Sequence, residues 1–225
     1  MPHKLGQVFL KNPRILSFIA KQCNGEKILE IGAGDGRLTK RLKGEVYAVE
    51  LDKRFCERLK EITPNVICQD FLELEPFKVD CIVGNVPYYI SSPILFRLLD
   101  WDFDKAILMF QKEFGEKMVA KPGDSNYGRL SLTSQYYFHV KPLKIVSKRD
   151  FSPVPKVDSI IMEIRKKREK DPLFDEIVRK IFSQKNKKLK NILKDVPEDL
   201  GELRPRHMGE EEIRRLLAYF SSKHK

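Results

Sequence analysis

Residues 28–36 read ILEIGAGDG, an apolar run followed by glycines at three alternate positions. A short run rich in Ile and Leu is typical of a buried strand. Glycine accepts positive φ and lets the backbone approach a ligand closely. We therefore expect a strand that turns at Gly32, Gly34 and Gly36 and leads into a helix beginning near Arg37.

Four more apolar runs follow that strand, and each precedes a segment of helical or loop character. They are rich in Ile, Val and Leu, which is typical of strands that helices cover on both faces. The alternation predicts an α/β fold, a Rossmann-like doubly wound and mostly parallel sheet. The runs are VYAVEL (46–51), NVICQD (65–70), DCIVGN (80–85) and KAILMF (105–110).

The hydrophobic spacing becomes helical after SIIMEIRKKREK (159–170). We therefore predict two domains, a sheet domain over residues 1–165 and a small basic helical domain over 166–225. Two apolar stripes define the second domain: Phe174, Ile177, Val178, Ile181 and Phe182, then Ile213, Leu216, Leu217 and Phe220.

The charge of the chain favours a polyanionic partner. The formal net charge is +11, and the 60 residues from Lys166 hold 17 Lys and Arg against 11 Asp and Glu. Residues 179–194 contain seven basic residues and no acid. Such a run is often only a solvated helix face, and charge alone leaves RNA, DNA and anionic membrane open.

Several classes of protein are disfavoured by composition. No stretch approaches the roughly 18 apolar residues of a membrane span, and the N-terminus lacks an apolar signal core, so we expect a cytoplasmic protein without a membrane partner. The four cysteines have no CxxC spacing and the four histidines are scattered. We therefore expect buried, reduced thiols and no metal site.

Acidic residues near the ends of the second and third strands suggest an adenosine-type cofactor. Glu50 is placed to accept hydrogen bonds from a ribose diol. Asp70 is placed to accept one from an adenine amino group, although it could instead cap the next helix. Arg37 stands where a dinucleotide fingerprint has its third glycine, which disfavours a pyrophosphate and favours S-adenosylmethionine.

The fourth strand runs into GNVPYYISSP (84–93), the most informative stretch for chemistry. The lone pair of an adenine amino group is delocalised into the ring. If the Asn85 side-chain oxygen and the Val86 or Pro87 carbonyl accept its hydrogens, the nitrogen can attack a methyl group. Pro87 would stiffen the turn and Tyr88 would stack on the extruded base. The alternative is an ordinary turn with both tyrosines in the core.

These motifs resemble the family of ribosomal RNA adenine N6-dimethyltransferases that act on the small subunit. The resemblance covers nearly the whole chain. It is carried by LGQVFL (5–10), EIGAGDG (30–36), Glu50, QDF (69–71), NVPYYISSP (85–93), QKEFGEKMVAKPGDSNYGRLS (111–131), FSPVPKVDS (151–159) and FSQKNKKLKNIL (182–193).

The resemblance implies roles for particular residues. Phe151 would stack on the target base opposite Tyr88, or else pack beneath the PVP turn. The family usually has Asn or His at the position of Val8, so cofactor contact there would be apolar or through the backbone, and the helical tail is shorter than usual. The implied S-adenosylmethionine contacts are Gln7, Val8 and Leu10, Gly32 and Gly34 at its amino-acid portion, Glu50 at the ribose, Asp70 at the adenine, and Asn85.

The resemblance also implies a substrate, two adjacent adenosines in the hairpin near the 3′ end of small-subunit rRNA. Each would be dimethylated within an immature subunit by a monomeric enzyme. The alternatives are a large-subunit methyltransferase of the macrolide-resistance type and a nucleic-acid-binding factor with secondary methyl transfer. The residues expected to contact RNA are Arg129, Lys185, Lys187, Lys188 and Lys190.

Overall fold

A seven-stranded sheet organises the computed structural model, which describes residues 8–223. Its strand order is β4-β3-β2-β5-β6-β9-β7, and β1 and β8 form a separate antiparallel pair. The strands are β1 (Phe9–Leu10), β2 (Lys27–Ile31), β3 (Glu45–Val49), β4 (Asn65–Ile67), β5 (Val79–Asn85), β6 (Phe103–Gln111), β7 (Phe138–Val146), β8 (Phe151–Ser152) and β9 (Ser159–Lys166).

Strands β4, β3, β2, β5 and β6 are parallel neighbours, and β9 runs antiparallel to β6. The prediction of a doubly wound, mostly parallel sheet is therefore confirmed. Ile28, Leu29 and Ile82 in the central strands are fully buried, as expected for strands covered on both faces. The five parallel strands bring their carboxyl ends to one edge of the sheet.

The helices begin where the sequence supplies caps. The Asn12 side chain accepts the Arg14 N–H, and the Asp171 side chain accepts the Phe174 N–H. Both caps precede a proline, whose fixed φ suits the first helical position. The helices are α1 (Pro13–Gln22), α2 (Lys53–Leu59), α3 (Ser91–Arg97), α4 (Lys112–Val119), α5 (Arg129–Tyr137), α6 (Pro172–Phe182), α7 (Glu198–Gly201) and α8 (Glu210–Lys223).

The helix predicted to begin near Arg37 is wrong. The chain forms turns there and a single 3-10 turn over Thr39–Arg41. Because β3 already begins at Glu45, the connection is too short for an α-helix and the turns on either side of it.

Backbone contacts divide the chain into two compact units. Residues 8–115 and 141–166 form the first unit, and residues 116–140 and 167–223 form the second. The predicted division after residue 165 assigned 116–140 to the sheet domain, whereas the contacts group this segment with the helices. Local hydrophobic spacing carries no information about such an excursion of the chain.

Each unit has its own core. In the second unit, both predicted apolar stripes are buried except for Phe182 and Phe220, which are half-buried. In the first unit, α1 packs on β2, β5 and β6 through Leu16, Ile19 and other apolar residues. No helix within residues 8–223 is long and apolar enough to cross a membrane.

The cysteines correct a second expectation. Cys23 is bonded to Cys81 and Cys56 to Cys68, so the predicted reduced thiols are wrong. Cys68 is also exposed rather than buried. The pairing follows from tertiary proximity, since the two bridges span 58 and 12 residues of sequence.

Reduction of the disulfides should destabilise the protein. By loop-closure entropy, the Cys23–Cys81 bridge contributes about 4 kcal/mol and the Cys56–Cys68 bridge about 3 kcal/mol to the free energy of unfolding. Guanidinium denaturation with and without a phosphine reductant measures the total. The double variant Cys56→Ser/Cys68→Ser isolates the longer bridge, and an unchanged midpoint on reduction would contradict its contribution.

Candidate active site

A cavity of about 470 Å3 lies at the carboxyl edge of the parallel strands, entirely within the first unit. Its volume suits a cofactor-sized ligand. Gln7, predicted to line it, lies outside the described residues. The predicted site residues that do line it are Val8, Leu10, Gly32, Gly34, Glu50, Asp70, Asn85, Pro87 and Tyr88.

The glycine turn after β2 has the expected backbone. Gly32 and Gly34 have φ of +67° and +55°, a region that L side chains rarely adopt. A Cβ at Gly34 would also lie 3.0 Å from Cε1 of Phe9, so the turn has little room for a side chain. The backbone therefore forms the cavity wall directly.

The carboxylate of Glu50 connects this turn to the end of β3. Its Oε2 accepts the Gly34 N–H at 2.8 Å, and its Oε1 accepts the N–H groups of Leu51 and Asp52 at 2.8 and 2.9 Å. A carboxylate offers about four lone-pair positions. Three are occupied, so Glu50 retains capacity for a ligand hydroxyl.

Asp70 lies at the cavity, and its contact with an adenine amino group stays a prediction. Its Oδ1 accepts the Leu72 N–H at 2.9 Å, so the side chain caps a local turn, while the residue also lines the cavity. One oxygen is held by the backbone. The other is available for a ligand donor.

The orientation of Asn85 is fixed by the N-terminal segment. Its Nδ2 donates to the backbone carbonyl of Val8 at 3.0 Å. Because the amide nitrogen is committed to that carbonyl, Oδ1 is the acceptor that Asn85 offers to the cavity. The backbone carbonyl of Val8 therefore orients the Asn85 amide, whereas the contact of Val8 with the cofactor stays a prediction.

The turn after Asn85 is tied to two neighbouring strands. The Val86 N–H donates to the Met109 carbonyl at 3.0 Å, and the Tyr88 hydroxyl lies 3.2 Å from Oγ of Ser159. The Pro87 carbonyl accepts the Ile90 N–H at 3.1 Å. Since that carbonyl is engaged in the turn, Val86 is the better second acceptor beside Asn85.

The structure does not support the predicted stacking role of Phe151. Its side chain is 0% exposed and is absent from the cavity lining. Phe151 pairs with Leu10 in the β1–β8 ladder and belongs to the core around α1. Because the ring is buried in this core, no face is left for a base, and packing beneath the PVP turn stays a prediction.

Several lining residues were missed by sequence reasoning. Glu30 was hidden in an apolar strand, and Asp35 in a glycine turn that was interpreted only through its glycines. Leu51 and Tyr89 line the cavity although they are exposed, which marks them as apolar surface left for a ligand. Their signal was their position directly after Glu50 and Tyr88.

The cavity is acidic. Four carboxyl residues line it, Glu30, Asp35, Glu50 and Asp70. The basic residue in the lining is Arg37, and its Nε lies 2.7 Å from Asp35 Oδ2. This balance disfavours a phosphate and favours a ligand that carries positive charge.

Glu30 is an unusual acid for its position. It is buried, and Oε2 accepts the Thr39 hydroxyl at 2.5 Å. Burial raises the pKa of Glu30 to about 8, since the hydrogen bond from Thr39 only partly opposes it, and the nearby Glu50 and Asp35 carboxylates raise the pKa further. At neutral pH this carboxyl is therefore mostly protonated.

The residues expected to contact RNA lie in the second unit. Arg129, at the start of α5, is exposed, as are Lys185, Lys187 and Lys190, while Lys188 is half-buried. Lys188 and Lys190 both form ion pairs with Glu202. Hydrogen bonds from these two lysines lower the pKa of Glu202 to about 2.

The other two lysines differ in this respect. No ion pair involves Lys185 or Lys187 within the part of the chain that the structure describes. The same part contains no cluster of His, Cys, Asp and Glu that could hold a metal ion.

Glu30 should make stability depend on pH. Between the ordinary value of 4.5 and about 8, the folded state keeps a proton that the unfolded state has released. The free energy of unfolding therefore falls as pH rises through this window. We expect Glu30→Gln to remove that fall, a difference of a few kcal/mol across the window.

Urea denaturation of both proteins between pH 5 and pH 8 measures the difference. Glu26→Gln, at an exposed position, is the matched control and should follow the native profile. Parallel profiles for the native chain and Glu30→Gln would contradict the raised pKa.

Comparisons with known proteins agree on the family. The family model described as ribosomal RNA adenine dimethylase matches residues 2–204. A curated relative from Methanopyrus kandleri, named probable ribosomal RNA small subunit methyltransferase A, is 37% identical over 97% of this chain and 92% of its own length. Ribosomal RNA small subunit methyltransferase A of Thermotoga neapolitana is 41% identical over 84% of this chain and 78% of its own.

Solved structures give the same result. A dimethyladenosine transferase from Plasmodium falciparum superposes with a TM-score of 0.86 and 32% identity, covering 96% of this chain and 98% of that one. The 23S rRNA methyltransferase ErmE superposes with a TM-score of 0.73 and 27% identity, covering 95% and 99%. With its sheet order, glycine turn and Asn85 site, the chain belongs to the ribosomal RNA adenine dimethylase family.

Proposed function

We propose that this enzyme transfers methyl groups from S-adenosylmethionine to N6 of two adjacent adenosines in the 3′-terminal hairpin of small-subunit rRNA. The reaction takes place during ribosome biogenesis, and each adenosine is methylated twice. The observation that carries the proposal is the orientation of Asn85, whose Nδ2 is held by the Val8 carbonyl.

The fixed amide gives Asn85 a defined chemical task. With Nδ2 committed to Val8, Oδ1 accepts one N6 hydrogen of the target adenine, and the Val86 carbonyl accepts the other. Both acceptors favour a pyramidal nitrogen whose lone pair is localised. After the first transfer one N6 hydrogen remains, so the same acceptors serve the second transfer.

The tyrosine beside this pair holds the base. The Tyr88 ring lies in the cavity lining, and its hydroxyl is anchored at Ser159. An aromatic ring stacks on an extruded base with little dependence on sequence. Pro87 keeps the ring and Asn85 on one rigid turn.

The residues of the cavity fit S-adenosylmethionine, which supplies an electrophilic methyl on a sulfonium. The spare capacity of Glu50 suits the ribose hydroxyls, and Asp70 suits the adenine amino group. The Gly32 and Gly34 backbone leaves room for the amino-acid portion. The lining carboxyl residues other than the mostly protonated Glu30 favour its positive charges over the phosphates of a dinucleotide.

Small-subunit rRNA is the substrate best supported by the relatives. The curated relatives from Methanopyrus kandleri and Thermotoga neapolitana carry small-subunit names. The large-subunit enzyme ErmE has the lower TM-score of the two solved structures compared. We also propose that the enzyme acts on the subunit as a monomer in the cytoplasm.

Methylation of isolated subunits tests the function. We expect the protein to form N6,N6-dimethyladenosine in undermethylated small subunits incubated with labelled cofactor, and none in large subunits. Asn85→Ala should lower kcat by at least about 100-fold while leaving the Kd of S-adenosylmethionine within a few-fold, because the amide acts mainly on the reacting nitrogen.

Mass spectrometry of digested rRNA reads the product in each case. Asn65→Ala is the control, since Asn65 lies on β4 outside the cavity lining. Labelling of the large subunit alone would show that the substrate is large-subunit rRNA and not small-subunit rRNA. No dimethyladenosine in either subunit would refute the activity.

We further propose that the helical unit contacts the rRNA through Arg129 and through the lysines Lys185, Lys187, Lys188 and Lys190. Lys188 and Lys190 form ion pairs with Glu202, so their charge is partly neutralised within the protein. Lys185 and Lys187 therefore offer the stronger attraction to phosphate.

The lysine pairs should differ in the salt dependence of subunit binding. Each phosphate contact contributes about 0.9 to the slope of log K against log salt. We expect Lys185→Ala/Lys187→Ala to reduce that slope by about 2. Lys188→Ala/Lys190→Ala should reduce it less, because Glu202 already holds these side chains. Equal effects, measured by sedimentation binding, would contradict the distinction.

A further inference from the structure

We propose that Tyr89 and the loop over residues 153–158 form a second RNA subsite, which holds the nucleotide next to the target adenosine. The proposal rests on the function proposed above. Tyr89 would stack on the neighbouring base, and the basic residues Lys148, Arg149 and Lys156 would bind its phosphates.

The sheet brings these parts to the same edge. Asn85 at the end of β5 pairs with Met109 in β6, and Gln111 at the end of β6 pairs with Ser159 at the start of β9. The Lys112 N–H also donates to the Asp158 carbonyl at 3.0 Å. The turn that carries Tyr89 and the loop that ends at Ser159 are therefore neighbours.

The turn that carries Tyr89 and the residue after the loop are also in direct contact. The Tyr88 hydroxyl and Ser159 Oγ are 3.2 Å apart, so the residue before Tyr89 touches the residue that follows the loop. Tyr88 belongs to the base pocket. Tyr89 is the next residue along the chain, and it lines the mouth of the same cavity.

The exposed surface here is unusually apolar. Tyr89 is 66% exposed, Val154 59% and Val157 43%. They are three of the five large hydrophobic residues that are exposed within the described chain. An aromatic ring that is exposed to solvent at the mouth of a base pocket is energetically unfavourable. A base stacked on the ring would bury it.

Basic residues lie in this loop and just before β8. Lys148, Arg149 and Lys156 are exposed, and none forms an ion pair with another described residue. The two acids nearby in sequence accept hydrogen bonds within the protein. Asp150 accepts the Asn12 side-chain N–H at 2.7 Å, and Asp158 accepts the Lys148 backbone N–H at 2.9 Å.

Surfaces that bind single-stranded RNA combine exposed aromatic rings with unpaired cationic side chains. Bases stack on the ring whatever their identity, and the phosphates pair with lysine and arginine. A protein partner would favour more apolar contact and fewer unpaired cations. The adjoining cavity is proposed to hold the target base. The next nucleotide of the same RNA strand can therefore reach Tyr89 without an additional binding site between them.

Binding of a short fluorescein-labelled single-stranded RNA, followed by anisotropy, tests the subsite without relying on methylation. We expect Tyr89→Ala to raise its Kd by about tenfold or more, as loss of one stacked base does. Tyr89→Phe keeps the ring and should bind like the native protein. Ile145→Ala, at an exposed residue of β7, is the control.

The cations give an independent readout. Charge reversal at Lys148, Arg149 and Lys156 should reduce the slope of log K against log salt by about 2, at about 0.7 per phosphate. In subunit methylation, Tyr89→Ala should raise KM by a larger factor than it lowers kcat, because stacking of the neighbour is the same before and during the reaction.

The outcomes separate this inference from the proposed function. Native-like RNA binding by Tyr89→Ala, or no RNA binding by the native chain, overturns the subsite. RNA binding that depends on Tyr89 in a chain that forms no dimethyladenosine supports the subsite and refutes the activity. If Tyr89→Ala binds RNA normally but loses a ribosomal protein contact in crosslinking, the surface belongs to a protein and the inference is wrong.

Discussion

The buried carboxylate of Glu50 joins the parts of the site that the fold must bring together. It binds the Gly34 N–H from the turn after β2 and the first two N–H groups after β3. A buried charge is tolerated only with such donors. The same bonds fix the glycine backbone against the end of the next strand, so the local fold of the cavity wall depends on the side chain for which we propose ribose binding.

Much of this could be predicted because it is local. The apolar runs identified β2 to β6, and the positive φ of Gly32 and Gly34 follows from the absence of a Cβ. Parallel strands place their carboxyl ends on one edge, so Glu50 and Asn85 were expected in one site. Neither conclusion required knowledge of a distant contact.

The parts that could not be predicted depend on distant contacts. Phe151 lost its expected stacking role because β8 pairs with β1, whose partner lies more than a hundred residues away in sequence. The disulfides likewise join residues that only the fold brings together. The raised pKa of Glu30 results mainly from burial of its side chain. The presence of Glu in an apolar run does not show how completely the side chain is buried.

The proposed cofactor site and the proposed RNA site carry opposite charges. The cavity is lined by four carboxyl residues, of which Glu30 is mostly protonated, whereas the segment over residues 148–156 carries unpaired Lys148, Arg149 and Lys156. In the proposed reaction, an acidic interior would favour a positively charged methyl donor and repel phosphate, so the RNA backbone would stay at the basic residues and the uncharged base would enter. Methyl transfer would remove the sulfonium charge, so the charged carboxylates would bind the spent cofactor less strongly. The same distribution of charge would therefore select the donor, exclude the RNA backbone and favour release of the spent cofactor before the second methylation.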